Sequence, residues 1–226
     1  MNLTLKEADE KLKSLMGGNF KARLFVAIPT PYLAYFADKY KTINFCAQDV
    51  SSVKNFGPYT GEFSSAMLSS AGINYVLTGQ SERRELFRES NKIGRKKSQN
   101  CLNSNITPVI CIGESLENRQ NSNYQEFLIE QLNESIPEGS HQIIIAYEPL
   151  WAIGTGISPS IEEISEIVSL IRSSPKTSIV AKNAQLVYSG SVNSKNYHKF
   201  LEIKGVDGLI VSSSALDDNE LKKILN

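Results

Sequence analysis

The segment QIIIAYEP, residues 142–149, decides the fold that this sequence predicts. Its apolar run is continuous, which is typical of a parallel strand covered on both faces, whereas a half-solvated strand alternates apolar and polar residues. The run ends on a carboxylate, Glu148, and the chain turns directly afterwards at Pro149. Further segments of this form are RLFVAIPT (23–30), INFCAQD (43–49), NYVLTGQ (74–80), TPVICIGE (107–114), QLVYSGS (185–191) and GLIVSSSA (208–215).

Helix-like segments separate these runs. The clearest, SIEEISEIVSLI (160–171), begins with a capping box of Ser160 and Glu163. Its apolar stripe comprises Ile161, Ile164, Ile167, Val168 and Ile171. Regular alternation of strands and helices predicts an α/β fold with a parallel sheet, either a closed barrel or a doubly wound layer. Because no linker, low-complexity tract or charge block interrupts the pattern, we expect residues 1–226 to form a single domain.

Polar residues follow the apolar runs, at the carboxyl ends of the predicted strands. They are Gln48, Asp49, Gln80, Ser81, Glu82, Glu114, Glu148, Ser191 and Ser212 to Ser214. In a βα barrel every βα loop opens at that end and the active site lies there, whereas a doubly wound sheet uses only its switch point. The series therefore favours the barrel, although each residue alone is also an ordinary helix N-cap.

Composition limits the classes of partner. The 226 residues carry 24 Lys and Arg against 24 Asp and Glu, so net charge favours neither nucleic acid nor a membrane surface. The three cysteines are widely spaced without metal-ligand pairing, which indicates a reducing compartment. The start, MNLTLKEADEKL, lacks a secretory signal pattern, and no apolar stretch approaches the roughly 18 residues that span a bilayer. We therefore predict a soluble, cytoplasmic protein.

Several motifs together resemble one family. AYEPLWAIGTG (146–156) resembles the sixth-strand and lid signature of the triosephosphate isomerase family. TGQSERRELF (78–87) and CIGESLENR (111–119) are similar to its fourth- and fifth-strand motifs, and NFGPYTGEFS (55–64) to its dimer-interface loop. VYSGSVN (187–193) and DGLIVSSSAL (207–216) resemble its two phosphate-binding turns. The matches run in order through nearly the whole chain.

The resemblance implies a (β/α)8 TIM barrel and a reaction of glycolysis and gluconeogenesis. That reaction interconverts dihydroxyacetone phosphate and D-glyceraldehyde 3-phosphate through an enediolate, without a cofactor or metal. Glu148 corresponds to the base that removes a carbon-bound proton, and Pro149 and Trp151 begin the hinge of a lid. The lid tip would run from Ala152 to Gly156, with the Gly154 N–H offered to the substrate phosphate. The alternative is that Glu148 merely caps the next helix.

Other motif residues receive supporting roles from the resemblance. Glu82 corresponds to a carboxylate near the site that is paired with a lysine in the family. We expect Ser81 to cap the following helix, and Arg83 and Arg84 to form ion pairs or interface contacts. Cys111 has apolar neighbours in the sequence and is expected to be a packed thiol rather than a nucleophile.

The chain departs from the family pattern at Gln80, where the family has histidine. An amide can donate a hydrogen bond to a carbonyl oxygen, but it cannot give up and recover a proton near neutral pH. Gln80 is therefore expected to polarise the substrate, while proton transfer between the substrate oxygens falls to Glu148.

The family's first strand, ending in Asn-x-Lys-Met-Asn, has no counterpart here, and neither has its lysine. The chain begins with Met1 and Asn2, and Thr4 and Glu7 then form a capping box for the first helix. We expect a barrel lacking its first strand, with two exposed sheet edges. Either the translation start has been placed at an internal methionine, which the match of Met-Asn favours, or the gene is truly truncated.

Serine replaces glycine in both predicted phosphate turns. The family's Gly-Gly-Ser turn reads Ser189, Gly190, Ser191 here, and its final Gly-Gly pair reads Ser212, Ser213. Glycines allow backbone N–H groups to approach a phosphate closely. The added Cβ atoms would crowd the dianion, or the hydroxyls of Ser191, Ser212 and Ser213 would donate to it, and both outcomes stay open.

These observations give a leading interpretation and two alternatives. The first is a triosephosphate isomerase with impaired activity, acting on triose phosphate as a homodimer through loop 55–64. The second is a non-catalytic barrel that serves as a binding or interaction protein, which would explain the joint loss of the histidine, the lysine and the glycines. The third is another phosphosugar enzyme on the same scaffold. Fold alone does not separate them.

Overall fold

The computed structural model describes residues 2–18, 20, 22–54, 56–121, 123–139, 142–153, 157–174 and 177–226. Its strands are β1 Phe25–Ile28, β2 Asn44–Ala47, β3 Tyr75–Thr78, β4 Thr107–Ile112, β5 Ile144–Tyr147, β6 Gln185–Ser189 and β7 Gly208–Ile210. The helices are α1 Leu5–Met16, α2 Thr30–Lys39, α3 Ser65–Ser70, α4 Ser81–Leu86, α5 Asn91–Asn103, α6 Leu116–Gln120, α7 Tyr124–Ser135, α8 Ile161–Ser173, α9 Ile179–Asn183, α10 Tyr197–Leu201 and α11 Asp218–Leu225. Short 3₁₀ turns span Leu150–Ala152 and Ser213–Leu216.

The strands form one parallel sheet of seven, in the order β1 to β7, each paired with the next along the chain. The strand order never reverses, so the sheet lacks the switch point of a doubly wound layer and has the order of a barrel. Over the described ranges, β1 and β7 form the two edges and do not pair with each other, and no strand precedes α1. The prediction of a βα-barrel architecture without its first strand is confirmed.

Apolar side chains cover both faces of the sheet. The outer face packs against the helices in two clusters, one around Leu132 and Ile145 and the other around Leu33 and Phe36. The inner face carries a smaller cluster of Val109, Cys111, Ile144 and Ala146. Burial on both faces is the physical reason that the predicted strands are continuously apolar.

Two predicted helix starts are confirmed, and two other local expectations need correction or adjustment. Both predicted capping boxes form, at Thr4 with Glu7 and at Ser160 with Glu163. However, Ile161, the first residue of α8, is 40% exposed, whereas the other four residues of the predicted stripe are buried. Ser81 does not cap α4. It is the first helical residue, and Gln80 holds the N-cap position without a side-chain capping bond.

Candidate active site

The carboxyl ends of the parallel strands bring the predicted site residues to one end of the sheet. Gln80 follows β3, Glu148 follows β5, and Ser189 is the last residue of β6. Ser212 lies shortly after β7. Of the predicted lid tip, Ala152 and Ile153 are described, whereas residues 154–156, with Gly154, lie outside the described residues.

Glu148 is half-buried and is held at its backbone and at its side chain. Its N–H donates to the Ile112 carbonyl over 2.7 Å, and its Oε1 accepts from the Ser189 hydroxyl over 3.1 Å. Gly113 permits this approach, because a Cβ there would lie 1.8 Å from the Glu148 carbonyl oxygen. The side chain bonds to Ser189 instead of capping a helix, and α8 is capped by Ser160.

Burial raises the pKa of Glu148 from 4.5 to about 7. The negative charge of Glu82 raises this pKa further, whereas hydrogen bonds from the Ser189 hydroxyl, the Ser81 N–H and the Cys111 thiol lower it. The loss of hydration disfavours the ionised form more than these donors favour it. The carboxyl group is therefore balanced between its two protonation states near neutral pH.

Gln80 is half-buried beside the end of β2, with its amide engaged by the protein. Its Nε2 donates to the Gln48 carbonyl, while its Oε1 is buried and has no hydrogen-bond partner among the described residues. The amide therefore presents an unsatisfied acceptor as well as one remaining N–H. The sequence interpretation foresaw the donor but not the acceptor.

Glu82 is exposed in the first turn of α4, and its Oε2 accepts from the Ser81 hydroxyl over 3.3 Å. No ion pair of Glu82 is found within the described part of the chain. Its charge nevertheless contributes to the raised pKa of Glu148. The two carboxyl groups are thus electrostatically coupled.

The serines of the predicted phosphate turns differ in their engagement. The Ser191 hydroxyl donates to the Ala152 carbonyl over 2.6 Å, which joins the turn after β6 to the segment after β5. Ser212 and Ser213 are both exposed at the end of β7. The neighbouring Ser214 donates to the Val192 carbonyl over 2.7 Å and so connects the two turns.

Glu114 forms a buried network that the sequence interpretation did not assign. Its side chain is fully buried, and its Oε1 accepts from the Tyr147 hydroxyl and from the Trp151 indole N–H, each over 3.0 Å. The Arg119 guanidinium lies 3.7 Å from the same oxygen and 5.8 Å from the centre of the Trp151 ring. The network anchors the predicted hinge residue Trp151 to the end of β4.

A second network, also unforeseen, lies behind Gln80. Lys97 is buried, and its Nζ lies 2.6 Å from Asp49 and 2.7 Å from Glu89. Arg83 pairs with both Asp49 and Glu89, which agrees with the ion-pair role expected for it. Arg84 instead donates to the Gly79 and Cys111 carbonyls and to Asn91.

All three cysteines are free and buried, and burial raises the pKa of the Cys111 thiol well above its ordinary value, as expected of a packed thiol. Within the described ranges, no group of His, Cys, Asp and Glu side chains is arranged to hold a metal ion. None of the described helices is both long and apolar enough to cross a bilayer.

Comparisons with known proteins agree with this architecture. The sequence profile of the triosephosphate isomerase family matches residues 1–226. Triosephosphate isomerase of Orientia tsutsugamushi strain Ikeda is 39% identical over 209 residues, covering 90% of this chain and 84% of that protein. The protein of the same name from strain Boryong is 37% identical over 233 residues, covering all of this chain and 93% of the relative.

A solved structure gives the same result in three dimensions. The crystal structure of triosephosphate isomerase from Bartonella henselae superposes with a TM-score of 0.87 at 29% identity, covering 99% of this chain and 93% of that one. The profile match over the full length, the identity to the Orientia proteins and the shared barrel all point the same way: this chain belongs to the triosephosphate isomerase family.

Proposed function

We propose that the chain, as a single domain over residues 1–226, interconverts dihydroxyacetone phosphate and D-glyceraldehyde 3-phosphate with Glu148 as the base. The observation that carries this proposal is the place of Glu148, half-buried at the carboxyl end of β5 and bonded to Ser189, where burial raises its pKa to about 7. A base whose pKa lies near the working pH takes up and returns a proton with similar ease. An isomerisation through an enediolate requires both steps.

In the proposed reaction, Glu148 removes a proton from the carbon beside the substrate carbonyl and returns it to the neighbouring carbon. A second proton moves between the two substrate oxygens, so substrate and product contain the same atoms. Gln80 donates its remaining N–H to the oxygen on which negative charge develops. Because an amide does not exchange protons near neutral pH, the transfer between the oxygens also falls to Glu148.

The same geometry supports an impaired rate. The family's imidazole is replaced by Gln80, and one N–H of that amide is already bound to the Gln48 carbonyl. Removing one preorganised donor from such a site typically costs about 10²–10³ in rate. We therefore expect turnover slower than that of a family member with histidine at this position.

The substrate phosphate is assigned to the turns after β6 and β7. Ser212 and Ser213 are exposed there, and neither hydroxyl is bonded to another described residue; the lid residue Gly154 completes the proposed set. Ser191 is the remaining member, although its hydroxyl is engaged with the Ala152 carbonyl. Its backbone N–H is then the group expected to face the phosphate.

A coupled assay with each triose phosphate tests the proposal. We expect turnover in the parent chain and a loss of about 10²–10⁴ in Glu148→Gln, which is the range for a missing general base. Glu10→Gln is the matched control, since Glu10 is exposed on α1. Equal rates for the parent and Glu148→Gln would contradict the assignment.

A non-catalytic binding protein is the second candidate. It is favoured by the engaged amide of Gln80 and by the lack of an ion pair for Glu82 among the described residues, since both reduce the means of stabilising charge on a substrate oxygen. Calorimetry with a phosphate-bearing enediolate analogue would separate the candidates. Tight binding without any turnover would support this one.

We further propose a cytoplasmic homodimer assembled through loop 55–64. Phe56 is 76% exposed and Tyr59 is 46% exposed, which is costly for a monomer in water. In sedimentation at micromolar concentration we expect a dimer that Phe56→Ser weakens and Tyr35→Ser does not, since Tyr35 is an exposed aromatic on α2. A monomeric parent chain would contradict this assembly.

A further inference from the structure

Ser189 has a contact that the reaction scheme above does not use. It is the last residue of β6, its side chain is buried, and its hydroxyl donates to Oε1 of Glu148 over 3.1 Å. The resembling family motif has glycine at this position, so the contact arises from a side chain that the motif lacks.

The sheet fixes the position of this hydroxyl. β6 lies between β5 and β7, where Tyr188 is in register with Tyr147 and Ser189 with Ile210. Ser189 is therefore held by its own pairing with β7 and by the pairing of the preceding residue with β5, and its side chain reaches Glu148, the residue after β5.

The next residue shows why the side chain sits at 189. A Cβ at Gly190 would lie 2.1 Å from the Tyr188 hydroxyl, closer than any real contact, so position 190 requires glycine. At position 189 the side chain fits and finds an acceptor within hydrogen-bond distance. The family motif has two glycines in this turn. This chain has serine at only one of them, the position from which a side chain reaches the Glu148 carboxylate.

The charged and polar groups around Glu148 determine how much the Ser189 hydroxyl contributes to stabilising its carboxylate. The Glu82 charge on α4 opposes ionisation of Glu148, whereas Arg84 on the same helix interacts favourably with the carboxylate through space. The Cys111 thiol on β4 and the Ser81 N–H supply the other hydrogen bonds. No lysine or arginine forms an ion pair with Glu148 within the ranges that the structure describes, so neutral donors hold its charge.

We infer that Ser189 is a positioning residue for Glu148, holding one oxygen of the carboxylate in place and stabilising its ionised form at neutral pH. This inference rests on the proposed function for its effect on turnover, but its effect on Glu148 itself does not require turnover. Removing the hydroxyl leaves the carboxylate with fewer donors in the same buried place. The protonated form is then favoured and a smaller fraction of the base is active at pH 7.

Carbon-detected NMR of carboxyl-labelled glutamate tests the inference directly, with the Glu148 signal assigned by its loss in Glu148→Gln. We expect Ser189→Ala to raise the pKa of Glu148 by about one unit, the size expected for one hydrogen bond to a charged group. Ser189→Thr, which keeps the hydroxyl, should stay near the parent value. Ser173→Ala is the matched control, because Ser173 is an exposed serine at the end of α8 whose hydroxyl donates to the Ser169 carbonyl, away from the site.

The pH profile of kcat/KM supplies a second readout. Its acid limb should move upward in Ser189→Ala and not in Ser173→Ala, with kcat at pH 7 reduced more than KM is changed. An unmoved pKa of Glu148 in a folded Ser189→Ala variant would overturn the inference while leaving the isomerase proposal intact. A raised pKa in a chain that never turns over would support the inference and count against the isomerase alone.

Discussion

Replacing Glu148 with glutamine should change how the stability of the protein depends on pH. The folded-state pKa of Glu148 is about 7, above its ordinary value of 4.5. Between these values the folded protein binds a proton that the unfolded chain has released. The free energy of unfolding of the parent therefore falls as pH rises from about 4.5 to about 7. Glu148→Gln has no proton to lose, so it escapes this fall.

The pKa values set the magnitude of the effect. One pKa unit corresponds to about 1.4 kcal/mol, so the rise from 4.5 to about 7 corresponds to at most about 3 to 4 kcal/mol. Solvent reaches part of this half-buried carboxyl group, which makes the value an upper bound. Relative to the parent, Glu148→Gln should thus gain up to about 3 to 4 kcal/mol of stability between pH 4.5 and pH 7.5.

Urea unfolding at a series of pH values measures this difference. Tryptophan fluorescence is a suitable probe because the chain contains one tryptophan, Trp151. The exposed Glu10→Gln variant provides the matched comparison and should follow the parent curve at every pH. A constant difference between parent and Glu148→Gln across the range would refute the reasoning, because it would mean that Glu148 titrates alike in the folded and unfolded states.

Further substitutions probe the other networks. Lys97→Met should cost roughly 3–5 kcal/mol of unfolding free energy in a urea titration, because it leaves the carboxylates of Asp49 and Glu89 without their buried lysine. The control Lys96→Met, at an exposed position on the same helix, should cost little. Equal losses in the two variants would contradict the ion-pair account. Glu114→Ala should remove the bonds that Glu114 accepts from the Tyr147 hydroxyl and the Trp151 indole N–H, cost about 1–3 kcal/mol for the buried Tyr147 hydroxyl, and shift the tryptophan emission. An unchanged emission spectrum would mean that Trp151 keeps its surroundings without Glu114. Gln80→His should raise kcat/KM in the coupled assay by about 10²–10³ if a missing proton donor limits turnover, and no gain would place the limitation elsewhere.

The sequence predicted the strands well and the contacts between them poorly. Continuous apolar runs are a local signal, so each predicted run contains an observed strand, and the sites at the strand ends follow from the parallel order. The bond from Ser189 to Glu148 joins residues 41 positions apart, and the bond from Trp151 to Glu114 joins residues 37 apart. No periodicity encodes such pairs. Ser81 shows that a local signal can also mislead. Serine is typical of an N-cap, but here the N-cap is Gln80 and Ser81 is already the first helical residue.

The position of Glu148 in the sheet explains how this base keeps its surroundings although the family's histidine is replaced by Gln80. The register places Ala27 of β1 and Cys46 of β2 on the same face as Tyr75, which packs against the inner cluster. Ala27 on the edge strand is exposed there, whereas Ala146 of β5 is completely buried. The inner face is thus exposed at Ala27 on the β1 edge and buried in the middle of the sheet.

Glu148 follows β5, away from both edges, so its surroundings retain the low polarity that raises its pKa. Gln80 reaches towards the end of β2, one strand from the open edge, and its amide is bound to the Gln48 carbonyl. The base is therefore supported by the best-buried part of the sheet, and the polarising group by a part next to an unpaired edge. If this contrast governs activity, the reduced turnover should result mainly from weaker stabilisation of negative charge on the substrate oxygen and not from slower proton abstraction by Glu148.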